Sequence, residues 1–171
     1  MIKLVEDTID SGDIDVLIDW LKTNPRLTKG NMTLQFEDAW SKFLGVKHSI
    51  YVNSGSSANL GIISAIKQSK LLKNNKVIVP AVAWSTTITP VIQCGLDPIL
   101  CDCNLNNLGV DLEHLENLFK EHRPAILIIV HVLGFPCDMK EICLLCERYD
   151  VILIEDSCES VGSVYSGKKT G

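Results

Sequence analysis

Two observations predict an α/β fold built on a doubly wound, mostly parallel sheet flanked by helices. From residue 48 onward, short apolar runs alternate with longer segments whose apolar residues recur at helical spacing. The runs are apolar throughout, where a half-buried strand would alternate apolar with polar, so each reads as a strand covered on both faces. Strand–helix–strand alternation then calls for parallel pairing through right-handed crossovers. The 171 residues suit one such domain with a short arm and suffice for a real core.

Residues 1–47 read as a helical N-terminal arm. Ser11, Gly12 and Asp13 can cap a helix running through Ile14, Val16, Leu17, Trp20 and Leu21 and ending before Pro25. Phe36, Trp40, Phe43 and Leu44 recur at helical spacing, and Gly45 closes that segment. Residues 48–171 form the main domain. Strands are predicted at 48–52, 76–79, 98–101, 125–132 and 151–154, and helices at 57–72, 85–94, 111–122 and 138–149. No linker or low-complexity tract interrupts this order, and only the βα unit recurs.

Composition narrows the function. With 46% hydrophobic and 22% charged residues the chain is not a disordered one. Sixteen basic against 21 acidic residues give a net charge of −5, so there is no basic excess to neutralise a nucleic acid. The longest apolar run, 125–130, is far too short to cross a bilayer, and no membrane partner is expected. Residues 1–10 carry three acids and no apolar stretch, unlike a signal peptide. A cytoplasmic protein is expected, with Cys94, Cys101, Cys103, Cys137, Cys143, Cys146 and Cys158 reduced. Cys143 and Cys146 form a C-x-x-C inside an amphipathic stretch with no second Cys/His pair at ligand spacing. They are read as packing residues, and no metal site is expected.

Sheets of this class bind ligands at the carboxyl ends of their strands. Within 53–59, Gly55 permits close backbone approach, and the hydroxyls of Ser56 and Ser57 follow at a helix start whose N–H groups are unpaired. A phosphate cradle and a plain N-cap turn both fit. The Gly-Lys-Ser/Thr of a Walker loop and the G-x-G-x-x-G of a dinucleotide site are absent. Trp84, after the strand at 76–79, sits where an indole can stack on a flat ligand or fill the core. Glu155 and Asp156 directly follow four apolar residues, and acids there are costly if buried without partners. An Asp in that place can hold a protonated ring nitrogen; a cap or an edge salt bridge is the other reading. Magnesium is disfavoured, because only the lone Asp102 follows another strand. His131, ahead of Gly134-Phe135-Pro136, reads as a group that supports the site or faces substrate, not as a catalyst.

Three motifs fall in a fixed order: Asn53-Ser54-Gly55-Ser56-Ser57-Ala58-Asn59, then the segment 79–87 around Trp84, then Glu155-Asp156-Ser157-Cys158-Glu159-Ser160-Val161-Gly162. Together they resemble the DegT/DnrJ/EryC1/StrS family of sugar aminotransferases, of the aspartate aminotransferase fold type. The resemblance runs from about Phe36 to Gly171 and takes in Phe36-Glu37, Leu44-Gly45, the segment 93–98 and the segment 131–136. It implies pyridoxal 5'-phosphate (or pyridoxamine 5'-phosphate) as cofactor. It also implies a nucleotide-linked 4-keto or 3-keto sugar as substrate, an amino donor such as glutamate, and a homodimer with the active site at the subunit interface. Carried over, Gly55, Ser56 and Ser57 would hold the phosphate, Trp84 would stack on the pyridine ring, and Asp156 would pair with its nitrogen; Glu159 joins the cofactor site. The charge pair keeps the ring protonated, so that it can draw off electrons.

Two departures qualify the resemblance. Glu159 stands where the aminotransferase branch usually carries Gln or His, and an acid there is more similar to the 3-dehydratases of 4-keto-6-deoxy sugars. Those enzymes put His where the Schiff-base Lys would be. The strand that supplies this residue lies, in the family, beyond the stretch 165–171, and Lys168 and Lys169 in a polar turn are poor substitutes. No catalytic residue is therefore assigned, a C-terminal small domain is expected to be absent, and the chain alone is expected to be inactive. An aminotransferase large domain is the first expectation; a 3-dehydratase, or a non-catalytic remnant that docks on a homologue, are the alternatives.

Overall fold

The computed structural model describes residues 6–171, in two compact units, the first ending at Tyr51 and the second spanning Val52–Gly171. The expectation about a leader falls on residues 1–10, of which 1–5 lie outside the described residues. Among the described residues no helix is long and apolar enough to cross a membrane.

The first unit holds α1 (Ser11–Lys22) and α2 (Asn31–Leu44). Its first cap lies one residue ahead of the expected triplet. Asp10 accepts the Asp13 N–H at 3.1 Å while the Asp13 carboxylate accepts the Asp10 N–H at 3.1 Å, a reciprocal capping box. Gly45 ends α2 in the left-handed region at φ 79°, where glycine carries no Cβ penalty. The strand expected at 48–52 does not form. Its Tyr51 N–H is taken by Glu37 at 2.9 Å, and the Tyr51 ring packs edge-on against Phe36 at 5.5 Å. The apolar residues that suggested a strand are left unpaired, with Ile50 79% exposed.

The second unit runs α3 (Gly55–Gln68), β1 (Lys76–Pro80), α4 (Ser85–Gln93), β2 (Asp97–Cys101), α5 (Leu112–His122), β3 (Ile126–Val130), α6 (Met139–Tyr149) and β4 (Ile152–Asp156). Its four main strands are parallel in the order β2-β1-β3-β4. Ile63 of α3 and Val91 of α4 pack on one face with Val77, Val79, Ile126 and Ile128. Leu115 and Phe119 of α5 and Ile142 of α6 pack on the other with Ile78, Leu127 and Ile129. Successive residues of β1 and β3 thus serve opposite cores, which is why these strands are apolar at every position. Cys101, Cys137 and Cys146 are buried in the second core, while Cys143, three residues before Cys146 on α6, is exposed.

The strand order positions the site. The chain leaves β1 for β2 on one side, then crosses back to β3 on the other. Loops after β1 and β3 therefore diverge and open a crevice at the carboxyl end of the sheet. After β4 a hairpin unforeseen in the sequence follows, β5 (Val164–Tyr165) and β6 (Lys168–Lys169). Ser166 and Gly167 turn it with φ of 48° and 82°, the hand a two-residue hairpin turn requires.

Phe119 is fully buried and meets the Tyr149 ring edge-on at 5.5 Å. Phe119→Ala is expected to lower the urea-unfolding free energy by about 3–5 kcal/mol. A loss below about 1 kcal/mol would contradict the packing of α5 on the sheet.

Candidate functional site

The crevice encloses a cavity of about 380 Å³ whose walls come from three strand ends. Trp84 and Thr87 follow β1, Val130 and Val132 flank the end of β3, and Asp156 and Glu159 stand at and beyond the end of β4. The predicted residues Trp84, Asp156 and Glu159 thus share one cavity, although β1 and β4 are not neighbours.

Asp156 is the last residue of β4 and partly buried. Its Oδ2 accepts the Asn59 side-chain amide at 3.0 Å, and its Oδ1 accepts the Cys158 backbone N–H at 3.1 Å. With both oxygens oriented, the carboxylate keeps lone pairs free to accept from a donor that enters the cavity. Asn59 lies one turn into α3 and also reaches the Thr86 carbonyl at 3.4 Å. Sequence reasoning gave it no role. The available signal was its spacing, four residues after Gly55 and so on the same helix face.

The phosphate-cradle candidates sit in the first turn of α3. Ser54 is the N-cap and accepts the Ser57 N–H at 3.2 Å. One hydroxyl thus does the capping, and Ser56 is not needed for it. The Gly55 and Ser56 amides, at the first two helical positions, have no intrahelical acceptor. Gly55, Ser56 and Ser57 are not in the cavity wall, and α3 joins the site through Asn59.

Trp84 is not a core residue. It occupies the N-cap position of α4 and is 77% exposed, which leaves the indole at the cavity's edge. Glu159 has a structural partner as well as a place in the wall: its Oε2 accepts the Leu133 N–H at 2.8 Å. Leu133 and Gly134 both lie in the left-handed region, at φ 53° and 86°. For Leu133 that conformation costs about 1–2 kcal/mol, and Glu159 offsets part of it. The clamped turn carries Val132, itself part of the wall.

His131 is fully buried and is not part of the cavity wall. Its Nδ1 accepts the Cys137 N–H at 3.1 Å, so the ring proton lies on Nε2 and is donated to Glu155 Oε2 at 3.0 Å. Glu155 also accepts the Gly171 N–H at 3.1 Å. The His131 hydrogen bond holds the Glu155 carboxyl below the usual carboxylate range, against the opposing effect of burial. Of the two roles open to His131 in the sequence, the geometry selects support. Cys158 lies in the wall, but burial and the adjacent Asp156 push its thiol up to about 11, which makes it a poor nucleophile at neutral pH.

The sequence profile of the DegT/DnrJ/EryC1/StrS aminotransferase family matches residues 7–171. The GDP-4-keto-6-deoxy-D-mannose 3-dehydratase of Yersinia pseudotuberculosis is 36% identical over 171 residues, 98% of this chain and 43% of that protein. Among solved structures, E. coli GDP-4-keto-6-deoxy-D-mannose-3-dehydratase with bound hydrated PLP (pyridoxal 5'-phosphate) is similar at a TM-score of 0.89 and 34% identity, over 96% of this chain and 43% of that one. Helicobacter pylori PseC, an aminotransferase involved in the biosynthesis of pseudoaminic acid, is similar at a TM-score of 0.86 and 28% identity, over 97% and 44%. The chain thus spans less than half the length of these relatives. With the doubly wound sheet, the site at its switch point and a profile match over nearly all of its length, the chain belongs to the DegT/DnrJ/EryC1/StrS aminotransferase family.

Proposed function

We propose that this chain forms the coenzyme cradle of a pyridoxal-phosphate-dependent enzyme acting on a nucleotide-linked keto-sugar. The observation that carries the reading is the Asp156 carboxylate, oriented by Asn59 and the Cys158 amide at the wall of a cavity that Trp84 flanks. The donor set fits the coenzyme. Asp156 would hold the protonated ring nitrogen, the Trp84 indole would lie against the ring, and the Gly55 and Ser56 amides with the Ser56 and Ser57 hydroxyls would hold the phosphate. When bound, the coenzyme would supply an electron sink for removal of a proton from an adjacent carbon. The chain's own contribution is to place the ring, to keep the nitrogen's proton in a charge-assisted hydrogen bond, and to hold the turn at 132–134 through Glu159.

Amino transfer from a donor such as glutamate is the first reading, in line with the family. Loss of the sugar's 3-hydroxyl is the second, favoured by the acidic Glu159 and by the 36% identity to a 3-dehydratase. Among the described residues no lysine lies in the cavity wall, and Lys168 and Lys169 are exposed on the hairpin, so neither is proposed as the residue that decides between the two readings. A Lys at the imine-forming position would support amino transfer, and a His there would support dehydration. The free cysteines suit the cytoplasm, where thiols stay reduced. A homodimer suits α1 and α2, neither of which has a buried residue although both carry large apolar side chains.

Titration of the chain with pyridoxal phosphate, followed by tryptophan fluorescence, tests the cradle. Asp156→Asn is expected to weaken binding tenfold or more, from the loss of about 1.5–3 kcal/mol in a charge-assisted hydrogen bond. Trp84→Ala is expected to remove about 0.5–1.5 kcal/mol of stacking. Unchanged affinity in D156N would overturn the reading. Borohydride reduction of the mixture, followed by peptide mass spectrometry, is expected to leave no lysine of 1–171 stoichiometrically pyridoxylated; one fully modified lysine would contradict the absence of an imine-forming residue.

A further inference from the structure

Beside the cavity wall lies a partly buried polar network, centred on the fully buried His131, that the proposed function does not use. The β3–β4 register pairs Ile129 with Glu155 and Val130 with Asp156. One residue further, the His131 backbone N–H donates to the Asp156 carbonyl at 3.1 Å. The His131 ring donates from Nε2 to Glu155 Oε2 at 3.0 Å, and the Cys137 N–H donates to Nδ1 at 3.1 Å. His131 therefore grips the tip of β4 twice, by the backbone of Asp156 and by the side chain of the residue before it. Side chains alternate along a strand, so the ring's bond to Glu155 lies on the face opposite to the one where Asn59 meets the Asp156 carboxylate, while the backbone bond lies in the plane of the sheet.

Packing alone does not call for this pair. The strands around it are filled with Ile, Leu and Val, and an apolar pair of similar volume would serve a merely structural role as well or better. What a His–Glu pair adds is direction. Both ring nitrogens have partners, and Glu155 Oε2 takes a second hydrogen bond from the Gly171 N–H at 3.1 Å. Hydrogen bonds from a buried ring to two separate segments stiffen the backbone they join.

We propose that His131 is a positioning residue: by fixing the backbone of Asp156 and the side chain of Glu155 together, it holds the Asp156 carboxylate on the line along which it meets the ring nitrogen of the bound coenzyme. This rests on the coenzyme reading given above. Groups that hold a ligand need supporting contacts that keep them within about 0.5 Å of the working position.

Two variants separate the ring's two contacts. His131→Asn retains an acceptor for the Cys137 N–H but does not reach Glu155. His131→Gln places an amide N–H near the position of Nε2 and restores the donor to Glu155. In the pyridoxal-phosphate titration H131N is expected to bind about tenfold more weakly and H131Q within about threefold of the parent chain. A second readout needs no coenzyme: imidazole ¹⁵N chemical shifts of the unliganded chain are expected to show His131 protonated at Nε2 with Nδ1 accepting. The reverse tautomer would overturn the proposal. D156N serves as the control in the same series. If D156N binds as tightly as the parent, the coenzyme reading fails. If D156N is weakened while H131N binds like the parent, the positioning role alone fails. Should H131N not fold, as judged by circular dichroism, Glu155→Gln against H131Q carries the comparison: weakening in E155Q but not in H131Q supports the role, and equal affinities overturn it.

Discussion

A single hydrogen bond between residues 97 apart in sequence joins the two ends of the second unit's chemistry. Asn59, on the first helix of that unit, donates to Asp156 at the end of its last long strand. The bond depends on the strand order. Because β3 returns to the side of β1 away from β2, the loops after β1 and β3 leave for opposite faces and open one crevice, which residues at the end of β4 also line. An acid at the end of an edge strand could rotate among several rotamers; here Asn59 and the Cys158 amide hold one oxygen each. The fold thus delivers an aimed negative charge, a flat indole and the open amides of a helix start to one end of the sheet.

Much of this was legible from the residues. The strands at 76–79, 98–101, 125–132 and 151–154 were readable from their short apolar runs; burial on both faces accounts for the run in β3, which is buried along its whole length, whereas the edge strand β2 leaves Leu100 54% exposed. The helices of the second unit were readable from their spacing, and Asp111 and Asp138 sit at the N-cap positions of α5 and α6, at the predicted starts. Trp84 and Asp156 could be singled out as candidates because ligands sit at strand carboxyl ends in this class of sheet, and both line the cavity there.

The remainder depended on contacts that no local pattern encodes. Residues 48–52 have strand composition, but a strand exists only with a neighbour, and Glu37 and Phe36 claim Tyr51 instead. The hairpin at 164–169 is two residues per strand, too short for an alternating pattern to register. Asn59 looks like any polar residue near a helix start until the partner strand is placed beside it. Glu159 was assigned to the cofactor site by resemblance, and its bond to the strained turn at Leu133 emerges only from the tertiary structure. His131 likewise gave a sequence signal of polarity at a strand end, without the direction in which its ring points.

The central claim is that the cavity at the switch point seats a pyridine ring against Asp156. A crystal structure of the chain grown with pyridoxal phosphate tests it most directly. The ring nitrogen is expected within about 2.7–3.2 Å of an Asp156 carboxylate oxygen, with the indole of Trp84 along the ring and the phosphate at the first turn of α3. Coenzyme density elsewhere on the molecule, or in the cavity with the ring nitrogen turned away from Asp156, would contradict it.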